Sequence, residues 1–337
     1  MSGAAPRNLY QNLRRLSRDP RTRRLIGAGG LLLSVGFLAF LLASGWEELR
    51  AYDAWNTYLS AAAAGFLLYP LSLVVQAWVW HRIISMFGRG SNCWRDMEIY
   101  AYSHLMRRLP GMVWYLAGRT ARYYGQGIKT EVTLAASALE WFLLLAAAAL
   151  IYATLSLFRA SGVLLNVLLL CLVVVTVSLL LRWSLSLSGF RRLSAWAPKR
   201  MRVLTGAPLP GVKDLFLWLL LYVVAYFLAG GILLLLIGAV TPGSSPRLLD
   251  ATRIWALSGG LSFFLSAIIP AGLGVREVSL ALLLSPFVPS PATALIPIVM
   301  RLLFVSSDLV WGSLLWIVAR TLCRRKERTS LYDDPGD

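Results

Sequence analysis

Apolar residues in this chain run on without the polar interruptions that mark one wet face of a helix. Uninterrupted runs occupy residues 25–46, 57–80, 131–157, 162–182, 214–240 and 293–320. At 1.5 Å per residue each reaches about 30 Å or more, the thickness of a bilayer's hydrocarbon core. The pattern predicts six full transmembrane helices, and the absence of period-two alternation argues against a β-barrel. Two further segments, 96–120 and 250–288, are apolar only in part. Each is broken in the middle, at Leu109-Pro110-Gly111 and at Ile269-Pro270-Ala271-Gly272-Leu273-Gly274. Proline removes a backbone donor and glycine loosens the helix, so breaks of this kind at membrane depth belong where protein or a water-filled cavity covers them. Each segment is read as a re-entrant helical hairpin. The predicted fold class is an all-α polytopic membrane protein of about eight membrane segments: six full transmembrane helices plus two re-entrant or broken hairpins. If the second hairpin instead crosses twice, the termini keep their side.

Charge placement gives the orientation. Seven arginines (Arg7, Arg14, Arg15, Arg18, Arg21, Arg23 and Arg24) precede the first apolar run, and Arg320, Arg324, Arg325, Lys326 and Arg328 follow the last. The segment after residue 80 and the loop 183–213 are rich in Arg and Lys, whereas the linkers near 47–56, 158–161 and 241–249 hold only Arg50, Arg159 and Arg247. By the positive-inside rule both termini are cytoplasmic, in a multi-pass protein of the cell (inner) membrane. The expected organisation is a basic cytoplasmic segment 1–24, one transmembrane domain 25–320 and a cytoplasmic tail 321–337. The first run lies too far from the start, and lacks the cleavage site, to be a removable signal peptide.

The two breaks stand 270 − 110 = 160 residues apart, and the flanking runs repeat that spacing. Residues 57–157 and 214–320 thus share a span–hairpin–span plan, with opposite topology as in many transporters. Side-chain identity between them is poor, so an inverted repeat and a coincidence of spacing both stand at this level.

Composition removes other classes. The net charge of +17, 58% hydrophobic and 15% charged residues, and a mean hydropathy of +0.65 suit a membrane protein. The positive charge is accounted for by orientation, so nucleic acid is not an expected partner. Cys93, Cys171 and Cys323 are too scattered for a disulfide framework or a zinc site. No Walker A loop, GxSxG or HExxH pattern occurs, and neither a cofactor nor a catalytic residue is expected.

Chemistry is sought instead in charges that the membrane penalises. Glu140 lies nine residues into an apolar run, where a charge costs about 2.5–3.5 kcal/mol on insertion scales. Arg301 and Asp308 stand two helical turns apart in the last run, and Arg276-Glu277 follows the Gly272-Leu273-Gly274 turn where a half-helix begins. Such a helix start with an arginine suits a phosphate. The plainer alternatives are a buried structural pair of Glu140 with Arg301, an interfacial Arg276-Glu277, and Arg107, Arg108 and Arg119 as solvated cytoplasmic positives. His81 and His104 are read as interfacial.

Two blocks resemble the transmembrane region of the lysylphosphatidylglycerol synthases. One is Leu109-Pro110-Gly111-Met112-Val113-Trp114 with Gly118-Arg119 and Gly127-Ile128 downstream. The other is Ile269-Pro270-Ala271-Gly272-Leu273-Gly274-Val275-Arg276-Glu277 with Arg301 beyond it. The similarity extends over roughly 25–320. It implies a flippase-like member that moves a polar or charged lipid head group between leaflets without the synthase domain. The partner would be a membrane phospholipid or glycolipid, together with a separate lipid-modifying enzyme. In that reading Arg119, Arg276 and Arg301 hold the head group's phosphate, and Glu140, Glu277 and Asp308 balance those charges or meet a cationic or hydroxylated group. Pro110, Gly111, Pro270, Gly272 and Gly274 shape the helix breaks. The alternatives are a transferase on a lipid-linked substrate with Glu140 or Glu277 as general base, and a non-catalytic partner whose loop 183–213 docks a glycosyltransferase or synthase.

Overall fold

A computed structural model describes residues 55–87, 92–106, 112–157, 210–241, 246–266, 275–288 and 292–332, together with Glu47 and Arg50. The expected spans 25–46 and 162–182, the segment 1–24, most of the basic loop and the five residues that shape the helix breaks lie outside the described residues. Within them the chain is helical without strands. The helices are α1 (Trp55–Phe87), α2 (Cys93–Met106), α3 (Met112–Tyr124), α4 (Thr130–Leu157), α5 (Val212–Val240), α6 (Leu248–Ser266), α7 (Val275–Leu284), α8 (Ala292–Ser307) and α9 (Ser313–Tyr332). A π-helical turn, Asp308–Gly312, joins α8 and α9 into one rod. Among the described residues four helices are long and apolar enough to cross a membrane: Asn56–Phe87, Thr130–Ser156, Val212–Val240 and Leu295–Leu322. Beyond Leu322 the last rod continues as helix for ten more residues, through much of the expected tail.

The four other helices are short or polar, and their sequences explain why. α2 and α3 have 14 and 13 residues, about 21 and 20 Å, and carry Asp96, Glu98, His104, Arg119 and Arg122. Neither reaches across a hydrocarbon core alone. α5 lies at the centre, against α1, α4, α6 and α8, and its buried Trp218, Tyr222, Ile232, Leu233, Leu236 and Ile237 fill the main core. α6 packs on α4 and α7, α2 on α1, α3 and α9, and each short second helix, α3 or α7, lies against the long helix that follows it.

Small residues set how closely these helices approach. A Cβ on Gly230 of α5 would stand 2.6 Å from the Thr252 Cα of α6, which leaves no side chain to move aside. Neighbouring Gly231 has nothing nearer than 3.9 Å.

One contact joins α1 to the last rod. Pro70, inside α1, has no N–H, so the Phe66 carbonyl one turn earlier loses its helical donor. Trp311 of the π turn supplies one: its Nε1–H donates to Phe66 O at 2.9 Å, and the two rings lie 5.5 Å apart. In the same turn Gly312 lies against Leu105 of α2, where an added Cβ would come within 3.2 Å of Leu105 Cδ2.

Two outcomes follow from this packing. Gly230→Ala lowers thermal stability by about 1–3 kcal/mol through overpacking, while Gly231→Ala changes it by under about 0.5 kcal/mol, both read by thermal unfolding in detergent. Trp311→Phe keeps an aromatic ring but strands a partly buried carbonyl, costing about 1 kcal/mol in the same measurement.

Candidate functional site

The turn that follows α3 closes at Gly127, whose φ of +79° is the left-handed conformation glycine adopts freely, with Ile128 N–H returning to the Tyr123 carbonyl. That turn sends α4 back along α3 and brings Glu140 opposite Arg119. Arg119 Nη1 donates to Glu140 Oε2 at 2.5 Å, and Tyr115 Oη donates to the same oxygen at 2.7 Å. Arg119 Nη1 also meets Ser137 Oγ at 3.4 Å, and Nε donates to Ser103 Oγ on α2 at 3.2 Å. The guanidinium carbon lies 3.6 Å from the Trp80 ring centroid and 4.2 Å from that of Tyr115. Arg119 is fully buried and Glu140 1% exposed. Arg119 is therefore no solvated cytoplasmic positive, and Glu140 pairs with it, not with Arg301. Four helices, α1 to α4, converge on this one side chain.

Arg301 meets Glu277 of α7 instead, its Nη1 donating to Glu277 Oε1. This pair is more open, with side chains 20% and 9% exposed. Arg276, one residue before Glu277, turns away onto α6, with its guanidinium carbon 3.7 Å from the Trp255 ring centroid. Gly259 makes room for it, since a Cβ there would stand 3.7 Å from Arg276 Nη2. Trp255 stacks on Phe304 at 5.0 Å, and Phe304 meets Tyr69 edge-on at 5.1 Å.

Asp308, expected on the Arg301 face, belongs to a different group. It opens the π turn, is fully buried, accepts from Tyr69 Oη of α1 and lies 3.2 Å from His104 Nε2 of α2. His104 is buried rather than interfacial, and its ring stacks on Tyr100 at 5.6 Å.

A fourth cluster sits where α1 meets α2. His81 Nδ1 lies 2.6 Å from Asp96 Oδ2, and Asp96 Oδ1 accepts from Tyr123 Oη at 2.9 Å. Tyr123 Oη in turn accepts from Trp80 Nε1 at 2.8 Å. The Asp96 side chain is fully buried and that of His81 16% exposed. A carboxylate that orients a partly open imidazole is a general-base arrangement. Cys93 beside it is no poised nucleophile, because burial, and then the Asp96 carboxylate, push its thiol above the usual range.

The structure thus divides the predicted residues three ways: Arg119 with Glu140, Glu277 with Arg301 and Arg276 nearby, and Asp308 with His104. Sequence reading missed Tyr69, Trp80 and Asp96, and it set both histidines at the interface. Asp96 and His104 stand eight residues apart inside one partly apolar segment, and that was the signal available. No protein-family model and no curated protein matches this chain.

Breaking the closed pair has a large effect. Arg119→Met or Glu140→Gln each costs about 3–5 kcal/mol, because the partner is left charged and buried, whereas the double variant Arg119→Met/Glu140→Leu costs less than the sum of the singles. Unfolding of the three proteins in detergent gives the comparison.

Proposed function

We propose that this chain is an integral membrane lipid transporter, flippase-like, that passes a polar or charged lipid head group between leaflets at the Arg301–Glu277 pair with Arg276 beside it. The observation that carries the reading is that this ion pair stands partly open inside an apolar helical bundle, one short helix facing one long one. An ion pair in hydrocarbon is costly unless something polar uses it. A phosphate would take the guanidinium and an amine or hydroxyl the carboxylate, each replacing the other partner. Arg119 and Glu140 are fully buried against each other, α1 and α2, with only Arg119 Nη2 left without a hydrogen-bond partner; their part is to hold the first half rigid while the second works.

The packing supports a repeat. Exchanging α1 to α4 for α5, α6, α7 and the last rod returns the same set of neighbours: α2 lies against the last rod as α6 lies against α4, and α1 lies against α5 in both descriptions. The Arg–Glu pair recurs between the second short helix and the next long one, with its signs exchanged. We read the two units as inverted in topology, the short helix pairs as re-entrant, both termini as cytoplasmic and the membrane as the inner one. The resemblance to the transmembrane region of lysylphosphatidylglycerol synthases rests on the two motif blocks and suits this reading.

A transferase using Glu140 or Glu277 as its base fits less well, since both carboxylates are held by arginine. The His81–Asp96 pair is the group that a catalytic reading would use, and it predicts turnover of a lipid-linked substrate that His81→Gln abolishes.

The test is translocation by the purified full chain in vesicles of phospholipids with fluorescent head groups, probed with an impermeant quencher. Quenching beyond the outer-leaflet share is expected, slowed at least about tenfold in Arg301→Gln and in Glu277→Gln, which fold because their sites are partly open. Equal rates in wild type and both variants would remove the pair from the path, and no movement of any lipid class would remove the transport reading.

A further inference from the structure

We infer that α1 and the last rod share one hinge, where Pro70 of α1 meets the π turn Asp308–Gly312, and that α9 changes its angle to α8 there. Pro70 stands fourteen residues into Asn56–Phe87 (70 − 56) and Trp311 sixteen into Leu295–Leu322 (311 − 295), so both irregularities lie near the middle of their spans. Sharp helix bends fall mostly at prolines and at π turns, because each interrupts the backbone ladder that otherwise resists bending. Here one of each lies in contact with the other.

The obstacle to a bend inside a membrane is the polar backbone it exposes. In α1 the Phe66 carbonyl, which loses its helical donor to Pro70, takes the Trp311 Nε1–H at 2.9 Å. That donor is a side chain, which follows a changing angle as a backbone N–H held in its own helix does not. In the rod, Ser313 N–H at the end of the turn is divided between the Leu309 and Val310 carbonyls, so one keeps it when the other lets go. Tyr69, one residue before the proline, donates to Asp308 at the start of the turn. The two helices are thus tied at two points of the turn and bend together.

Packing on the two sides of the turn differs as a hinge requires. Before it α8 lies along α1, and Gly65 closes α1 onto α5 and α8: a Cβ there would come within 2.8 Å of Ile232 Cγ2 and 3.1 Å of Leu303 Cδ1. After it α9 takes α2 as its neighbour, and Gly312 rests the turn itself against Leu105 of α2. The rod changes partner at the point where its backbone is loosest. On its outer side Leu309, Val310 and Leu314 are exposed, so no packed layer blocks the bend. On the transport reading this motion shifts the first unit's α2 against the Arg301–Glu277 pair; that consequence rests on the lipid reading, and the hinge itself does not.

The experiment measures spin-label distances by electron paramagnetic resonance on the full chain in lipid nanodiscs, with Cys93, Cys171 and Cys323 replaced by serine. One pair, Thr321→Cys with Phe216→Cys of α5, reports on α9; the other, Leu302→Cys with Leu235→Cys of α5, reports on α8, and all four positions are exposed. A change of about 20° at the turn swings Thr321, about 14 Å along α9, by about 5 Å. Two populations separated by about that distance are expected for the first pair and one for the second. Pro70→Ala returns an N–H to the Phe66 carbonyl within α1 and lowers the minor population by about threefold or more; Trp311→Phe removes the donor that fastens the joint and raises it as much. Trp311→Phe serves if Pro70→Ala does not fold. One narrow distance for the first pair in both wild type and Trp311→Phe overturns the hinge. So do distributions that are the same in all three proteins, or a second pair that spreads as widely as the first. Translocation is read separately: two populations in a protein that moves no lipid keep the hinge and discard the lipid reading, and lipid movement with one fixed distance does the reverse.

Discussion

In an apolar bundle no water stands by to satisfy a polar group, so every buried charge and every broken backbone bond must find its partner in another part of the chain. That requirement organises this molecule. The carbonyl stranded by Pro70 is met by Trp311, 241 residues on from the proline (311 − 70). Arg119 draws in Ser103, Ser137, Glu140, Tyr115 and the Trp80 ring, from four helices. Helices of nearly uniform hydrophobicity have no amphipathic face to tell them which way to turn. These polar joints supply the missing direction, and close approaches such as Gly230 on Thr252 fix the distance.

The two Arg–Glu pairs put the same chemistry to different ends. In the first, the guanidinium lies against aromatic rings and oxygens, and the carboxylate accepts from two donors. Arg119 Nη2 is left without a hydrogen-bond partner, but the group is fully buried, so a passenger could reach it only by undoing the core. In the second, Glu277 and Arg301 keep part of their surface open, and Arg276 lies against Trp255 one residue away. A closed pair is a poor ligand site and a good strut; an open pair is the reverse.

How much of this was legible beforehand depends on whether a signal was local. The long apolar runs at 57–80, 131–157, 214–240 and 293–320 reappear as membrane-length helices, their edges within about two residues except that the first continues seven residues further, to Phe87, because hydropathy over twenty residues is read without knowing any neighbour. The helical halves on either side of each Pro-Gly break were legible for the same reason. Glu140, Arg301, Arg276, Glu277 and Asp308 were found as charges out of place. Their partners were not: Glu140 was weighed against Arg301 and lies with Arg119, and Asp308 was set beside Arg301 and lies with His104. Pairing is a tertiary fact, and spacing along the chain carries no trace of it across 204 residues (308 − 104). Arg119 was the hardest case, since a rule that explains cytoplasmic arginines explains it away.

The π turn at Asp308–Gly312 holds one residue more than an α-helical turn would. Each residue in an α-helix rotates the chain by about 100°, so that extra residue sets the phase of everything beyond it. Ahead of the turn the rod presents Arg301 to α7; within it Asp308 and Trp311 address α1 and α2; after it α9 packs along α2. A single-residue deletion there would leave composition, hydropathy and length all but untouched. It would nonetheless rotate α9 by more than a quarter turn, presenting a different stripe of side chains to α2. In this helix, counting is as much a structural property as hydrophobicity.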